Sequence, residues 1–157
     1  MEIAFKNISD MIVKQASAKG DKPVIRFYDR DISYREMEEK SASIAAGLER
    51  LGVGKGDRVC LLMENSPEYY FAYFGVIRLG AIAGPVNCWW QTREIEYLFN
   101  DSGAVAAIVD TAFRSHLEAI KDKTPALKHV IERGGDGTFL SFEEMADKKG
   151  IPPTVEI

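Results

Sequence analysis

Three apolar runs, residues 59–63, 81–86 and 104–109, alternate with two helix-like segments, about 67–79 and 93–100. A strand–helix–strand–helix–strand order with short connections leaves few folds open. Parallel strands need a crossover lying on the sheet face, and that crossover is almost always right-handed. The first run, VCLLM, shows no polar alternation, so it reads as a strand covered on both faces. The expected fold is α/β: a parallel-core sheet with helices on both faces (a βαβαβ core), plus an N-terminal helix and a β-hairpin.

Local signals place the element ends. Ser66-Pro67-Glu68 puts a cap hydroxyl, a helix-starting proline and an acid in the right order for a helix N-terminus. Five aromatics follow: Tyr69, Tyr70, Phe71, Tyr73 and Phe74. Their large apolar area is expected to pack on the sheet rather than line an acyl pocket. Thr92 is the expected cap of the next helix. Ahead of the core, residues 7–18 read as a helix, with hairpin strands at 24–28 and 31–33 around Asp29-Arg30. Ser33-Tyr34-Arg35-Glu36 is a capping box opening a helix that runs to about Leu51, where Gly52 stops it. Behind the core, a helix is expected at 111–123, a strand at 127–131 and a turn at Gly134-Gly135-Asp136-Gly137. A second capping box, Ser141-Phe142-Glu143-Glu144, leads a short helix, and residues 1–150 form one subdomain with 151–157 as the start of a linker.

Composition narrows the function classes. A chain of 157 residues, 46% of them hydrophobic, can bury a sizeable core. Its net charge of −4 argues against a nucleic-acid groove or a polybasic membrane surface. No apolar run approaches the roughly 20 residues a membrane helix needs. Residues 1–13 lack the apolar stretch of a secretory leader, so a reducing cytoplasm is the expected location. Cys60, Cys88, His116 and His129 have no ligand spacing, so no metal site is expected.

Most candidate catalytic patterns have a structural explanation. Gly52, Gly54 and Gly56 follow a helix and precede a strand, the reverse of a phosphate-cradling loop, and so read as turn residues. Glu38-Glu39 and Glu143-Glu144 are sequence neighbours on solvated helix starts. A flavodoxin-like nucleotide domain is disfavoured, since neither an acidic cluster at strand ends nor a glycine loop after the first strand is evident. The loop Asn87-Cys88-Trp89-Trp90-Gln91 is the best contact candidate. It follows the carboxyl end of a presumed parallel strand, where open α/β sheets bind ligands. Two adjacent tryptophans cannot both enter one core from an extended loop, so one is expected to face outward. Arg114 offers a candidate phosphate contact.

These elements, taken in order, resemble a known family. Ser33-Tyr34-Arg35-Glu36-Met37 is similar to its (T/S)-Y-x-E-L element. Leu51-Gly52-Val53-x-Lys55-Gly56-Asp57-Arg58-Val59, Asn65-Ser66-Pro67-Glu68, Gly75-x-x-x-x-Gly80-Ala81-x-x-x-Pro85-Val86-Asn87 and Glu94-Ile95-x-x-Leu98-x-Asn100-Asp101-Ser102-Gly103-Ala104 follow. Over residues 24–110 the chain resembles the N-terminal part of acyl-CoA synthetases of the adenylate-forming superfamily. Cys88 departs from it, standing where the family often has proline. The resemblance implies an enzyme that joins a carboxylic acid and ATP into an acyl-adenylate and passes the acyl group to CoA, with Mg²⁺ at the phosphates. Trp89-Trp90-x-x-Arg93-Glu94 is closest to the fatty-acyl branch. The resemblance also implies what lies elsewhere. The phosphate loop, the adenine and ribose motifs and the catalytic lysine all belong C-terminal to this segment, so the fragment is expected to be inactive alone. By the same resemblance Cys88, Trp89, Trp90 and Arg114 would lie near the CoA adenine and 3′-phosphate. The implied partners are the rest of its own chain, a small-molecule acid and, through exposed apolar surface, a second copy in a homodimer. A stand-alone α/β binding or interaction module is the competing reading.

Overall fold

The structure, a computed structural model, describes residues 5–151. The expected linker beyond Ile151 lies outside the described residues. Helix α1 (Ile8–Lys19) leads into the hairpin β1 (Pro23–Phe27) and β2 (Arg30–Ser33), then α2 (Tyr34–Arg50). The core follows as β3 (Arg58–Leu62), α3 (Pro67–Arg78), β4 (Ile82–Pro85), α4 (Thr92–Ser102) and β5 (Ala106–Asp110). A 3-10 turn (Thr111–Phe113), α5 (Arg114–Ile120), β6 (His129–Arg133), β7 (Leu140–Ser141) and α6 (Phe142–Asp147) complete it.

The main sheet has the order β4-β3-β5-β6-β7, with every pairing parallel. The chain starts in the interior, steps outward to β4, and crosses back over β3 to β5. Two crossovers of one hand running in opposite directions put their helices on opposite faces. Strand residues sort accordingly. Val59, Leu61, Ala106, Ile108 and Ile131 pack with α2, α3 and α6, in a core that includes Ile44, Leu48, Phe71 and Phe142. Cys60, Leu62, Ala107 and Val109 pack with α4 and α5 around Ile95, Phe99, Leu117 and Ile120. This two-sided burial explains why the strands read as unbroken apolar runs.

Helix α2 is buried along eight consecutive positions, residues 41–48, because α1, α3 and α6 all pack against it. Its contact with α3 depends on Gly75, where an added Cβ would meet Ile44 Cγ2 at 2.6 Å. Arg78 fastens the same pair of helices. It is 3% exposed and donates to the Glu38 carbonyl, the Ser41 hydroxyl and the Glu38 carboxylate.

Several expectations are corrected. The hairpin turns at Tyr28-Asp29, not Asp29-Arg30, with Tyr28 in the left-handed region at φ 50° and Arg26 bridging to Asp31 across the strands. Gln91, not Thr92, caps α4, because Glu94 accepts the Gln91 amide at 2.8 Å. Ser33 caps α2 as expected, but the Glu36 carboxylate accepts from Arg30 rather than from the cap amide. The helix expected at 111–123 breaks into a 3-10 turn and a short α5, and β7 has no counterpart in the sequence reading. The order of the sheet, which the sequence reading left open, is of the flavodoxin-like type, with β4 on one side of β3 and β5, β6 and β7 on the other.

Candidate functional site at the carboxyl edge of the sheet

The order of the strands fixes where a ligand crevice belongs. The direction of winding reverses between β3 and β5, and open α/β sheets bind ligands outside the carboxyl ends of their strands at such a point. Two clefts open there. One, of about 600 Å³, is lined by Glu64, Glu68, Asp110, Thr111, Arg133, Phe142 and neighbouring residues. The other, of about 540 Å³, is lined by Met63, Glu64, Asn65, Asn87, Cys88, Trp89 and Phe113. Glu64 borders both.

A chain of charged groups builds the floor of the first cleft. Asp110 ends β5 with its side chain 7% exposed. It receives a two-pronged bond from Arg133, Nε at 2.6 Å and Nη2 at 2.9 Å, and also the Glu64 amide at 2.8 Å. One carboxylate thus ties the carboxyl ends of β3, β5 and β6 together. Arg133 reaches on to Glu68 Oε2, and Arg30 of the hairpin donates to Glu68 Oε1 and Glu36. Burial pushes the Glu68 carboxyl up, but its own helix-start amide, Arg30 and Arg133 outweigh burial and hold it below the usual glutamate range. For Arg133, burial favours the neutral form. The Asp110 and Glu68 carboxylates outweigh it and keep the guanidinium charged. Sequence reasoning missed this network because its partners are far apart in the chain. An aspartate at the end of an apolar parallel strand was the available signal.

The second cleft contains the loop that the sequence singled out. Trp89 is 90% exposed, while Trp90 packs against the α4–α5 side of the core. The Asn87 side chain accepts the Trp89 amide at 2.9 Å, and the Cys88 thiol donates to the Met63 carbonyl at 3.2 Å. These two bonds hold the loop turned so that one indole faces out and the other in. Burial, and then the negative charges of Asp110 and Glu64, push the Cys88 thiol above its ordinary range. It is therefore a weak nucleophile.

Arg114 is bound to a different set of partners. Its Nε and Nη2 donate to the two oxygens of Glu132 at 2.7 and 2.9 Å, and its Nη1 to Asp136 at 2.7 Å. Glu132 is 1% exposed, and Gly135 leaves the space its carboxylate fills. Arg114 holds Asp136 well below the usual carboxylate range, with Thr138 adding its hydrogen bonds. The structure gathers Cys88 and Trp89 at one cleft, turns Trp90 into the core beside them, and gives Arg114 to a separate acid pair. Among the described residues, no group of three or more His, Cys, Asp or Glu could hold a metal ion.

Comparison with known proteins agrees with this fold. The family model described as AMP-binding enzyme matches residues 12–156. A long-chain-fatty-acid–CoA ligase of Escherichia coli O157:H7 is 36% identical over 156 residues, covering 94% of this chain and 28% of the ligase. The anthranilate CoA ligase AuaEII, solved with anthranoyl-AMP, superposes with a TM-score of 0.86 at 28% identity, covering 95% of this chain and 28% of that one. The N-terminal domain of FACL13 from Mycobacterium tuberculosis, solved with an inhibitor, gives a TM-score of 0.86 at 28% identity over 98% of this chain and 38% of that domain. The chain thus spans under a third of the length of the curated ligases it matches, and corresponds to their N-terminal part. A doubly wound sheet, a crevice at its switch point and a match along nearly the whole sequence lead to one conclusion: this chain belongs to the AMP-binding enzyme family.

Proposed function

We propose that residues 1–150 are the N-terminal subdomain of an ATP-dependent ligase that joins a carboxylic acid to CoA, releasing AMP and pyrophosphate. The observation that carries this reading is the family match over residues 12–156, on a sheet whose exposed loop sits at the ligand edge. A fatty acid is the favoured substrate class, in line with the E. coli relative. ATP, Mg²⁺ and the acid would be handled chiefly by the remainder of the ligase, which is the expected partner of this subdomain. A cytoplasmic enzyme is the favoured setting. Among the described residues no helix is long and apolar enough to cross a membrane.

The residues of the second cleft suit the nucleotide end of CoA. The exposed Trp89 indole offers a stacking surface for adenine, in a cleft that Phe113 and Asn65 also line. Cys88 and Trp90 set the loop's shape rather than contact the ligand. Arg114 could take a 3′-phosphate only by exchanging Asp136, the exposed one of its two partners, for the ligand. CoA titrated against the chain should quench Trp89 fluorescence, and Trp89→Ala should abolish the change. Quenching that survives in Trp89→Ala would remove the loop from the CoA site. Acid-dependent pyrophosphate release by the 157-residue chain alone would overturn the subdomain reading itself.

Exposed Trp89, Tyr97 and Ile82 give the chain a reason to self-associate. Sedimentation showing a strict monomer at high concentration would remove the homodimer.

A further inference from the structure

Trp89 lies in a short turn whose two ends are fixed. Before it, Val86 is 7% exposed and donates its amide to the Leu61 carbonyl at 2.9 Å, which holds the chain to β3 up to Asn87. After it, Trp90 packs into the α4–α5 side of the core. Asn87 bonds to both tryptophans. Its backbone carbonyl accepts the Trp90 amide at 3.1 Å, and its side-chain Oδ1 accepts the Trp89 amide at 2.9 Å. A side-chain oxygen that accepts the amide two residues along closes a local turn of its own. Asn and Asp make this turn best, and Ser makes it more weakly.

The Trp89 indole has no comparable hold. It is 90% exposed, and among the described residues it stacks on no other ring. Its placement is therefore inherited from the backbone of residue 89, which Asn87 fixes. Ordering one loose side chain on binding weakens affinity by roughly twofold to tenfold, and a group held in place beforehand avoids much of that loss. Asn87 also lines the second cleft, so a direct contact between its amide and a ligand is the rival role to be separated.

We propose that Asn87 is a positioning residue: through the Trp89 amide it presets the indole against which the adenine of CoA stacks. This rests on the reading of the second cleft as the CoA site. Asn87 acts on the ligand only through Trp89.

Two measurements on the 157-residue chain test it: hydrogen exchange of the Trp89 amide without ligand, and CoA titration followed by Trp89 fluorescence. Asn87→Ala should speed exchange at Trp89 about fivefold, the weight of one hydrogen bond, and should weaken CoA binding about fivefold. Asn87→Gln keeps the amide but is one methylene too long to close the turn, so it should match Asn87→Ala in both. Asn87→Asp and Asn87→Ser keep an acceptor at the right reach and should retain slow exchange. The uncharged Asn87→Ser should also bind CoA within about twofold of the unmodified chain. Unchanged exchange at Trp89 in Asn87→Ala, or CoA affinity kept by Asn87→Gln and lost by Asn87→Ser, would overturn the proposal. No quenching in the unmodified chain, with the exchange pattern as expected, would remove CoA from the cleft and leave Asn87 as the residue that holds Trp89.

Discussion

The two edges of the sheet are built from similar materials to opposite ends. At the amino edge, Arg58 spends its guanidinium on backbone carbonyls: Nε on Ser102 and Nη2 on Gly103, both at 2.7 Å, and Nη1 on Gly56 at 3.2 Å. Glycine turns close that edge, with the Gly56 amide donating to the Gly80 carbonyl and Gly103 in the left-handed region at φ 60°. At the carboxyl edge, Arg133 is bound to carboxylates on other elements, the loops stand open around two clefts, and Trp89 is left in solvent. The amino edge satisfies its own backbone. The carboxyl edge holds charges and an aromatic surface in place beside open space. This contrast is what separates a structural arginine from a site arginine here, although both are well bonded.

The largest expected effect breaks the carboxyl edge. Asp110→Ala leaves Arg133 without its main partner and the Glu64 amide without its acceptor, and should cost about 3 kcal/mol in urea unfolding. Arg58→Ala at the amino edge removes three hydrogen bonds to carbonyls and should cost about 2 kcal/mol. It should leave CoA-dependent Trp89 quenching intact, and lost quenching in folded protein would erase the distinction between the edges.

A smaller effect is pH-dependent. The Glu68 carboxyl is held below its usual range in the folded chain, so its contribution is present above the unfolded value of about 4.3 and is lost as pH falls through the folded value. The stability advantage of the unmodified chain over Glu68→Gln should therefore shrink as urea titrations move from pH 6 towards pH 3. The smallest stability effect is at the loop. Trp89→Ala should change stability by less than about 0.5 kcal/mol, since the side chain is 90% exposed. Thiol chemistry sharpens the same edge. Cys60, buried and pushed up to about 11, should resist iodoacetamide at pH 8 in the folded chain, and Glu64→Gln should speed alkylation of Cys88 by removing a nearby negative charge.

Much of the fold was legible because it rests on local chemistry. Ser66 caps α3 and Ser141 caps α6 through bonds three residues along the chain, and Gly52 takes its left-handed turn two residues past the last residue of α2. The misreadings have equally particular causes. Threonine is the better cap by residue type, and the reach of Glu94 back to the Gln91 amide moved the cap one residue earlier. The hairpin turn was misplaced by one residue because inward packing of Ile32 opposite Ile25 set the register, against the preference of tyrosine for negative φ. Strand β7 has two residues, too few for any periodicity.

The candidate site divides the same way. That one tryptophan of the Trp89–Trp90 pair faces solvent followed from the geometry of an extended loop. That Arg114 would be bound to Glu132 and Asp136 did not, since nothing in the sequence says which carboxylates lie within reach of a helix start.

The sequence by itself determined most of the element types, the two-sided burial of the core strands and the family, because helical and strand periodicities and cap chemistry act over a few residues. Only the tertiary structure decided that β5 returns to the far side of β3, since a right-handed crossover can step in either direction along a sheet. That step placed Asp110 between Glu64 and Arg133, residues 46 and 23 positions away along the chain. It thereby opened the clefts at the carboxyl edge, where charge and aromatic surface from distant segments meet.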